Sequence, residues 1–123
     1  MKIRIKGNSL RYRLTRSDVT RFARDGYLEE TTDFGPARLT YSLQRTAAGH
    51  LSACYENNNI TLYMPGRMAQ EWISTEKVGF ENNEDGIYLL IEKDFKCLDN
   101  VAEDQSDNYP NPLAAKNTGD RLA

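Results

Sequence analysis

The stretch that decides the fold is the opening of the chain, which reads Lys2-Ile3-Arg4-Ile5-Lys6-Gly7-Asn8-Ser9-Leu10-Arg11-Tyr12-Arg13-Leu14. Apolar and charged residues alternate on both sides of the Gly-Asn pair, which is the period of half-buried strands joined by a turn. The alternation predicts a β-hairpin with one apolar face. The opposite face of this hairpin carries five bases, namely Lys2, Arg4, Lys6, Arg11 and Arg13.

The segment after this hairpin predicts a short helix over residues 16–25. Thr15 and Asp18 occupy the two positions of a capping box, in which each side chain accepts from the backbone N–H of the other residue. Val19 and Phe22 contribute to an apolar stripe at helical spacing. Gly26 follows at the position where helices commonly end.

Two further strands follow the helix, and the same strand–strand–helix–strand–strand plan then recurs along the chain. A constant offset superposes the apolar positions and the turns of the two halves, although their identity is low. We interpret this pattern as an internal duplication with pseudo-repeats 1–45 and 51–95. The aligned positions include Leu10 with Ile60, Phe22 with Trp72, and Tyr41 with Ile91.

Two ββαββ repeats predict a single α+β domain over residues 1–98. We expect eight antiparallel strands in a curled sheet or barrel, with two short helices on its apolar face and the polar face lining the concavity. Residues 99–123 lack this pattern, and their polar composition predicts an acidic tail that is partly disordered. We expect the acids of the tail to dock onto the basic hairpin; they are Asp99, Glu103, Asp104 and Asp107.

Composition sets the broad class. The chain has 123 residues, a formal net charge of −2 and two cysteines. The small net charge gives no reason to expect nucleic acid or a membrane as partner. Because a secreted domain of this size usually carries more cysteines, we interpret both as free thiols in a reducing compartment. The opening lacks the apolar run of a signal peptide, so the expected location is the cytoplasm.

Four stretches carry a resemblance to a known family. They are the opening residues 1–11, Gly26-Tyr27-Leu28-Glu29-Glu30, Asp94-Phe95-Lys96-Cys97-Leu98, and Asp107-Asn108-Tyr109-Pro110-Asn111-Pro112. Together they resemble an uncharacterised family of small bacterial proteins without an assigned activity. The resemblance covers most of the chain and implies a bacterial cytosolic protein, but it supplies no mechanism.

The predicted plan is also similar, at the level of shape, to the triphosphate tunnel enzymes. Those proteins have eight antiparallel strands with helices outside and a charged tunnel inside. Their first strand carries a Glu-x-Glu-x-Lys pattern that binds metal, whereas the first strand here reads Lys2-Ile3-Arg4-Ile5-Lys6 and has no acid. The analogy therefore covers shape alone and does not carry over the activity.

Three functions fit these residues. The first is a binding module for a small phosphate or carboxylate ligand on the basic strand face, since Arg offers a planar fork to such groups. The second is a structural or protein-interaction module, with a homodimer as one form. The third is a metal-dependent phosphoanhydride hydrolase. The candidate ligand-binding residues are Lys2, Arg4, Lys6, Arg11, Arg13, Arg38, Glu29 and Glu92. A solvated surface that pairs with acids of the same chain is the plainer alternative for these charges.

No motif assigns a catalytic residue. His50 is the only histidine and lies in a predicted loop, and nothing in the sequence brings it to Cys54 or Cys97. The two cysteines fit no metal spacing, and no glycine-rich phosphate loop is present. We therefore expect a binding protein rather than an enzyme, with no cofactor and no metal site.

Overall fold

The computed structural model of the chain describes residues 1–83 and 86–94. The opening hairpin consists of strand β1, Lys2–Lys6, and strand β2, Ser9–Leu14. Helix α1 spans Arg16–Asp25. A second hairpin follows, with strand β3 at Tyr27–Asp33 and strand β4 at Arg38–Thr46. Strands β1 and β2 and helix α1 lie where the alternation and the capping signals predict them, and two strands follow the helix as expected.

The second half has the same order of elements. Its first hairpin is β5, Ser52–Glu56, and β6, Asn59–Pro65, joined by Asn57 and Asn58. Both asparagines have positive φ, at 53° and 63°, which is the geometry of a tight two-residue hairpin turn. Helix α2 covers Gly66–Ser74, and the last two strands are β7, Gly79–Asn82, and β8, Tyr88–Lys93.

The strands form two separate four-stranded sheets within the described part of the chain. Sheet A has the order β1-β2-β8-β7, and sheet B has the order β3-β4-β6-β5. The two central pairs, β2 with β8 and β4 with β6, are parallel, whereas the outer pairs are antiparallel. The α+β class is therefore confirmed, but the single antiparallel sheet or barrel is wrong. Alternating apolar residues have the same period in parallel and antiparallel strands, so the sequence pattern does not distinguish them.

The helices explain why the chain does not continue as one meander. Each helix separates the two hairpins of its half, and these hairpins enter different sheets. Each sheet thus combines the first hairpin of one half with the second hairpin of the other half. This exchange is the arrangement that two interlocked copies would give, and the internal duplication itself remains a prediction.

The exchange also corrects one detail of the alignment between the halves. Tyr12 lies opposite Ile91 in sheet A, and Leu62 lies opposite Leu43 in sheet B. Ile91 therefore corresponds in position to Leu43, and the sequence alignment of Ile91 with Tyr41 is wrong by one strand period. This shift of two residues leaves the aligned side chains on the same face of the sheet, because side chains alternate between the faces with a period of two.

One hydrophobic core joins both sheets and both helices. The inner strand faces supply Leu14, Leu62 and Ile91, while the helices supply Phe22 and Trp72, and all five are essentially inaccessible to solvent. The buried indole of Trp72 donates to the carbonyl of Val78 at 2.8 Å, so its polar atom is satisfied. Because the helices pack on the apolar side, the polar faces of both sheets point outward. The expectation that the polar face lines a concavity is therefore wrong.

The helix ends confirm the capping signals of the first half. Thr15 accepts from the backbone N–H of Asp18, and Asp18 accepts from the backbone N–H of Thr15, so both halves of the capping box are present. Gly26 ends α1 with a left-handed φ of 71°. The second helix begins after Pro65 without a side-chain cap. Neither helix in residues 1–83 and 86–94 has the length and apolar character needed to cross a membrane.

Candidate functional site

The outer face of sheet A gathers the five bases of the opening hairpin; we call it the basic face, defined by Lys2, Arg4, Lys6, Arg11 and Arg13. Antiparallel pairing of β1 with β2 sets Lys2 opposite Arg13, Arg4 opposite Arg11, and Lys6 opposite Ser9. Side chains directly opposite each other in such a pair are close neighbours, and like charges there repel. The pairing thus concentrates five positive charges on one face of two neighbouring strands.

One carboxylate compensates part of this charge. Glu92 on β8 lies opposite Arg13 across the parallel pair. Its Oε1 accepts from Arg11 Nε at 2.8 Å and from Arg13 Nε at 3.0 Å, and also from Arg11 Nη2. The Glu92 side chain is 16% exposed, so this three-residue cluster is partly shielded from water. A single acid therefore orients two guanidinium groups on the basic face.

The remaining bases divide into two kinds. Lys2 Nζ lies 3.0 Å from Asp94 Oδ2, which comes directly after β8. Arg4 and Lys6 are exposed side chains of the edge strand β1. Among the residues that the structure describes, neither has a carboxylate within ion-pair distance. The basic face therefore contains two cations that the described protein leaves uncompensated.

The far edge of sheet A has a different character. Tyr88 donates its hydroxyl to Glu81, and this hydrogen bond, with a contribution from burial, raises the pKa of the Tyr88 phenol. Beside it, a shallow depression of about 430 Å³ is lined by Lys77, Phe80 and Glu81, together with Glu92 and its neighbours. Charges of both signs meet there, so the excess of positive charge lies on the β1–β2 side of the sheet.

Two of the predicted ligand-binding residues lie elsewhere. Glu29 and Arg38 belong to β3 and β4, and their side chains lie on the outer face of sheet B. Glu29 Oε1 accepts a hydrogen bond from the Tyr27 hydroxyl at 2.7 Å, and Arg38 Nε lies 3.4 Å from Asp33 Oδ2. The sequence analysis grouped them with the bases of the opening hairpin, whereas the structure places them on the other sheet. Six of the eight candidates share sheet A, and these two do not.

Two of the reactive side chains considered from sequence, His50 and Cys54, lie among the described residues. His50 lies in the loop between β4 and β5, where it is exposed. Cys54 is an exposed free thiol on β5, with its Sγ 3.9 Å from Glu56 Oε1. Cys97 lies outside the described residues, as do the four acids of the tail. Within residues 1–83 and 86–94, no three His, Cys, Asp or Glu side chains are placed to share a metal ion.

Sequence reasoning missed a buried charge cluster at the start of α1. The α-amino group of Met1 is inaccessible to solvent and lies 2.8 Å from Asp18 Oδ2 and 3.2 Å from Glu30 Oε2. Arg21 Nη2 contacts the other oxygen of Asp18 at 2.6 Å. Burial alone would raise the pKa of Asp18, but hydrogen bonds from Met1, Thr15 and Arg21 outweigh it and hold that pKa well below its usual range. The capping-box pattern predicted the role of Asp18 at the helix start, but it did not predict the ion pair of Asp18 with the α-amino group of Met1.

The geometry defines a two-sheet α+β protein with an open basic face on one sheet. The chain belongs to a family of unknown function, DUF7009, whose model matches residues 1–113. No match was found among curated proteins or among solved structures. The family therefore agrees with the resemblance in the sequence, and it assigns no activity to the basic face.

Proposed function

We propose that this protein is a binding module whose basic face holds an anionic ligand through phosphate or carboxylate groups. The observation that carries the proposal is the pair Arg4 and Lys6, which are exposed and lack a carboxylate partner within the described residues. Next to them, Glu92 holds Arg11 and Arg13 in position. Together these groups offer planar guanidinium forks and a flexible ammonium to one anion.

The fold does not require these charges, which supports a functional reading of them. Sheet B has the same register as sheet A, and its residues at the matching positions are mostly uncharged. Like charges on neighbouring strands cost stability. A concentration of bases that the fold does not need, and that weakens it slightly, is best explained by something that the bases bind. The matching residues of sheet B are Ser52, Cys54, Glu56, Thr61 and Tyr63.

The shape of the face favours a ligand with several anionic groups. The bases lie on an outer strand surface, and the Lys2 side chain is 71% exposed. An exposed single ion pair is worth only about 0.2–1 kcal/mol. A ligand that contacts several cations at once adds such contributions, so inorganic tripolyphosphate and citrate are suitable probes of this proposal.

A second candidate function is an interaction module, and the edge of sheet A favours it. Within residues 1–83 and 86–94, strand β1 pairs with no second strand on its outer edge, and its Ile5 is 57% exposed. Open edges of this kind pair readily with another chain. A homodimer through β1 remains a proposal, and sedimentation at two protein concentrations tests it. The metal-dependent hydrolase gains no support from the described residues, because they contain no cluster of metal-ligating side chains.

Calorimetric titration tests the anion site. We expect the full-length protein to bind inorganic tripolyphosphate saturably at low salt, with affinity that falls as salt rises. The double variant Arg4→Ala, Lys6→Ala should weaken this binding by at least about tenfold, since it removes two charge-assisted contacts.

The matched control is Arg24→Ala, Arg38→Ala, which removes the same charge from exposed side chains on α1 and β4. This control should retain nearly all of the affinity. If both double variants lose affinity equally, the effect is one of net charge and the proposed site is wrong. If the wild-type protein binds none of phosphate, tripolyphosphate and citrate, the proposal fails for those anions.

A further inference from the structure

The outer face of sheet A continues beyond the basic face onto strands β8 and β7. One row of paired residues crosses all four strands and contains, in order, Arg4, Arg11, Leu90 and Glu81. Paired residues on neighbouring strands point to the same side of a sheet. The surface therefore changes along this row from basic to apolar to acidic, and the half-buried Leu90 separates the cations from a carboxylate.

An aromatic side chain lies next to this leucine. Tyr88 precedes Leu90 by two residues on β8, so both side chains are on the outer face, and Tyr88 lies opposite Ser9 of β2. The Tyr88 hydroxyl donates to Glu81 Oε2 on β7, which holds the ring in place on the sheet surface. Tyr88 is 36% exposed, so a flat group of a ligand can pack against it.

The depression at this edge adjoins the basic face directly. Its volume of about 430 Å³ is within the range of about 300–1,000 Å³ for small-molecule sites. Leu90, Glu81 and Glu92 line it, and Glu92 is also the acid that orients the guanidinium groups. Lys77 lines it too, with its ammonium 4.9 Å from the centre of the Phe80 ring.

The two acids of the depression retain hydrogen-bonding capacity. Oε1 of Glu92 accepts from Arg11 and Arg13, while its Oε2 accepts from none of the residues that the structure describes. Oε2 of Glu81 accepts from Tyr88, and within residues 1–83 and 86–94 its Oε1 has no donor. An ionised carboxylate only accepts hydrogen bonds, so these oxygens match N–H groups of a ligand.

We propose that the anion held by the basic face is a nucleotide, whose nucleobase packs on Tyr88 and Leu90 and donates an exocyclic amino group to Glu81. The proposal rests on the anion site described above and names its ligand class. Neighbouring strands are about 4.8 Å apart, so three steps across the sheet separate Arg4 from Glu81 by about 14 Å. An extended nucleoside triphosphate covers that distance.

Each part of such a ligand meets matching chemistry on this surface. Phosphates fit the guanidinium forks, and nucleobases stack on aromatic side chains. Inorganic polyphosphate would use the cations alone, because it has nothing to place on Leu90 and is repelled by Glu81. The order of basic, apolar and acidic groups therefore favours a ligand that is anionic at one end only.

Calorimetric titrations of the full-length protein with CTP, UTP and inorganic tripolyphosphate test the proposal. The two nucleotides have equal charge and nearly equal size, but cytosine carries an amino donor where uracil carries a carbonyl acceptor. We expect CTP to bind at least about fivefold more tightly than UTP, since a carboxylate accepts from the amino group and repels the carbonyl. CTP should also exceed tripolyphosphate at least about fivefold, because tripolyphosphate lacks the stacking group.

Variants assign these preferences to individual side chains. In Glu81→Gln the amide both donates and accepts, so the preference for CTP over UTP should fall to about twofold or less. Tyr88→Ala should lower CTP affinity at least about fivefold and leave tripolyphosphate affinity nearly unchanged, whereas Tyr88→Phe keeps the ring and most of the affinity. The matched control is Tyr55→Ala on β5, which removes an exposed aromatic ring from sheet B and should change neither affinity.

The outcomes separate this proposal from the anion site itself. Equal affinities for CTP and UTP, or nucleotide affinities no higher than that for tripolyphosphate, would overturn the nucleotide and leave the anion site standing. A preference for CTP that survives Glu81→Gln, or equal losses in Tyr88→Ala and Tyr55→Ala, would also overturn it. Binding of none of the three compounds would refute both proposals.

Discussion

The outer faces of sheets A and B have the same backbone register and opposite chemistry. In sheet A the row Arg4, Arg11, Leu90 crosses the strands, and in sheet B the matching row is Cys54, Thr61, Ser42. The row of sheet B contains small uncharged side chains, and Ser42 hydrogen-bonds to Thr61 at 3.1 Å. The comparison teaches that strand pairing and the apolar inner faces determine this architecture. The outer faces are free to differ, so their composition carries information about function.

The two helix starts show the same contrast. Helix α1 begins with a capping box that joins the buried Met1 ammonium and Arg21 around Asp18. The corresponding start of α2 has Pro65 as cap, without a side-chain hydrogen bond, and depends on buried Trp72 and Ala69. The first half therefore has charged groups at two places, the start of its helix and the outer face of its first hairpin. At the corresponding places the second half has apolar packing and mostly uncharged polar side chains.

The largest effect is expected from Asp18→Asn. The variant leaves the buried ammonium of Met1 without its closest carboxylate and weakens the capping box. We expect the free energy of unfolding to fall by about 3 kcal/mol, as for other buried pairs that lose one partner. Urea denaturation measures the change. Asp25→Asn on the same helix is the control, since its ion pair with Arg24 is exposed to solvent and should contribute little to stability. Equal losses in both variants would contradict the account.

The pH dependence of stability should reveal the same cluster. The pKa of Asp18 in the folded chain lies below its value in the unfolded chain, which is about 4. The stabilising contribution is therefore complete above that value and is lost as the pH falls below it. Wild type and Asp18→Asn should converge in stability at acid pH. A gap that stays constant down to about pH 2 would show that the carboxylate charge is not the cause.

A smaller effect is expected from Glu92→Gln. The variant leaves Arg11 and Arg13 without their shared carboxylate, so we expect a loss of about 1 kcal/mol in unfolding free energy at low salt. Affinity for inorganic tripolyphosphate should rise, because two guanidinium groups become available. Glu56→Gln on sheet B removes an equal charge from an exposed position and should change neither quantity appreciably. A loss of tripolyphosphate affinity in Glu92→Gln would indicate that positioning of the guanidinium groups outweighs their neutralisation.

The smallest effect tests the claim that the charges are dispensable for folding. Arg4→Thr, Lys6→Thr gives β1 an outer face like that of sheet B, and should raise the unfolding free energy by at most about 0.5 kcal/mol at low salt. The difference should vanish at high salt. The reverse transfer, Cys54→Arg with Glu56→Lys, should not create tripolyphosphate binding, because Thr61 lies opposite instead of an arginine. Strong destabilisation by the threonine variant would mean that the bases are structural.

Local patterns in the sequence were sufficient for the elements and for the basic hairpin. Strict alternation predicted β1 and β2, and the capping box with Gly26 predicted helix 16–25. These signals are local, so they depend on no distant pairing. The basic face followed directly, because residues of equal parity on two paired strands share one side.

The sheet order was not predictable in the same way. Pairing of β2 with β8 joins residues about eighty positions apart, and nothing in Leu10 or Leu89 specifies the direction of the partner strand. The error moved Glu29 and Arg38 onto the wrong surface. The charge cluster at Asp18 was missed for a related reason, since Met1 reaches it through tertiary packing rather than through sequence proximity.

The most direct test of the central claim is an NMR titration of the full-length protein with inorganic tripolyphosphate at low salt. We expect the backbone amide signals of β1 and β2 to shift saturably, and those of the matching strands β5 and β6 to remain in place. Equal shifts on both sheets, or shifts confined to β5 and β6, would contradict the account.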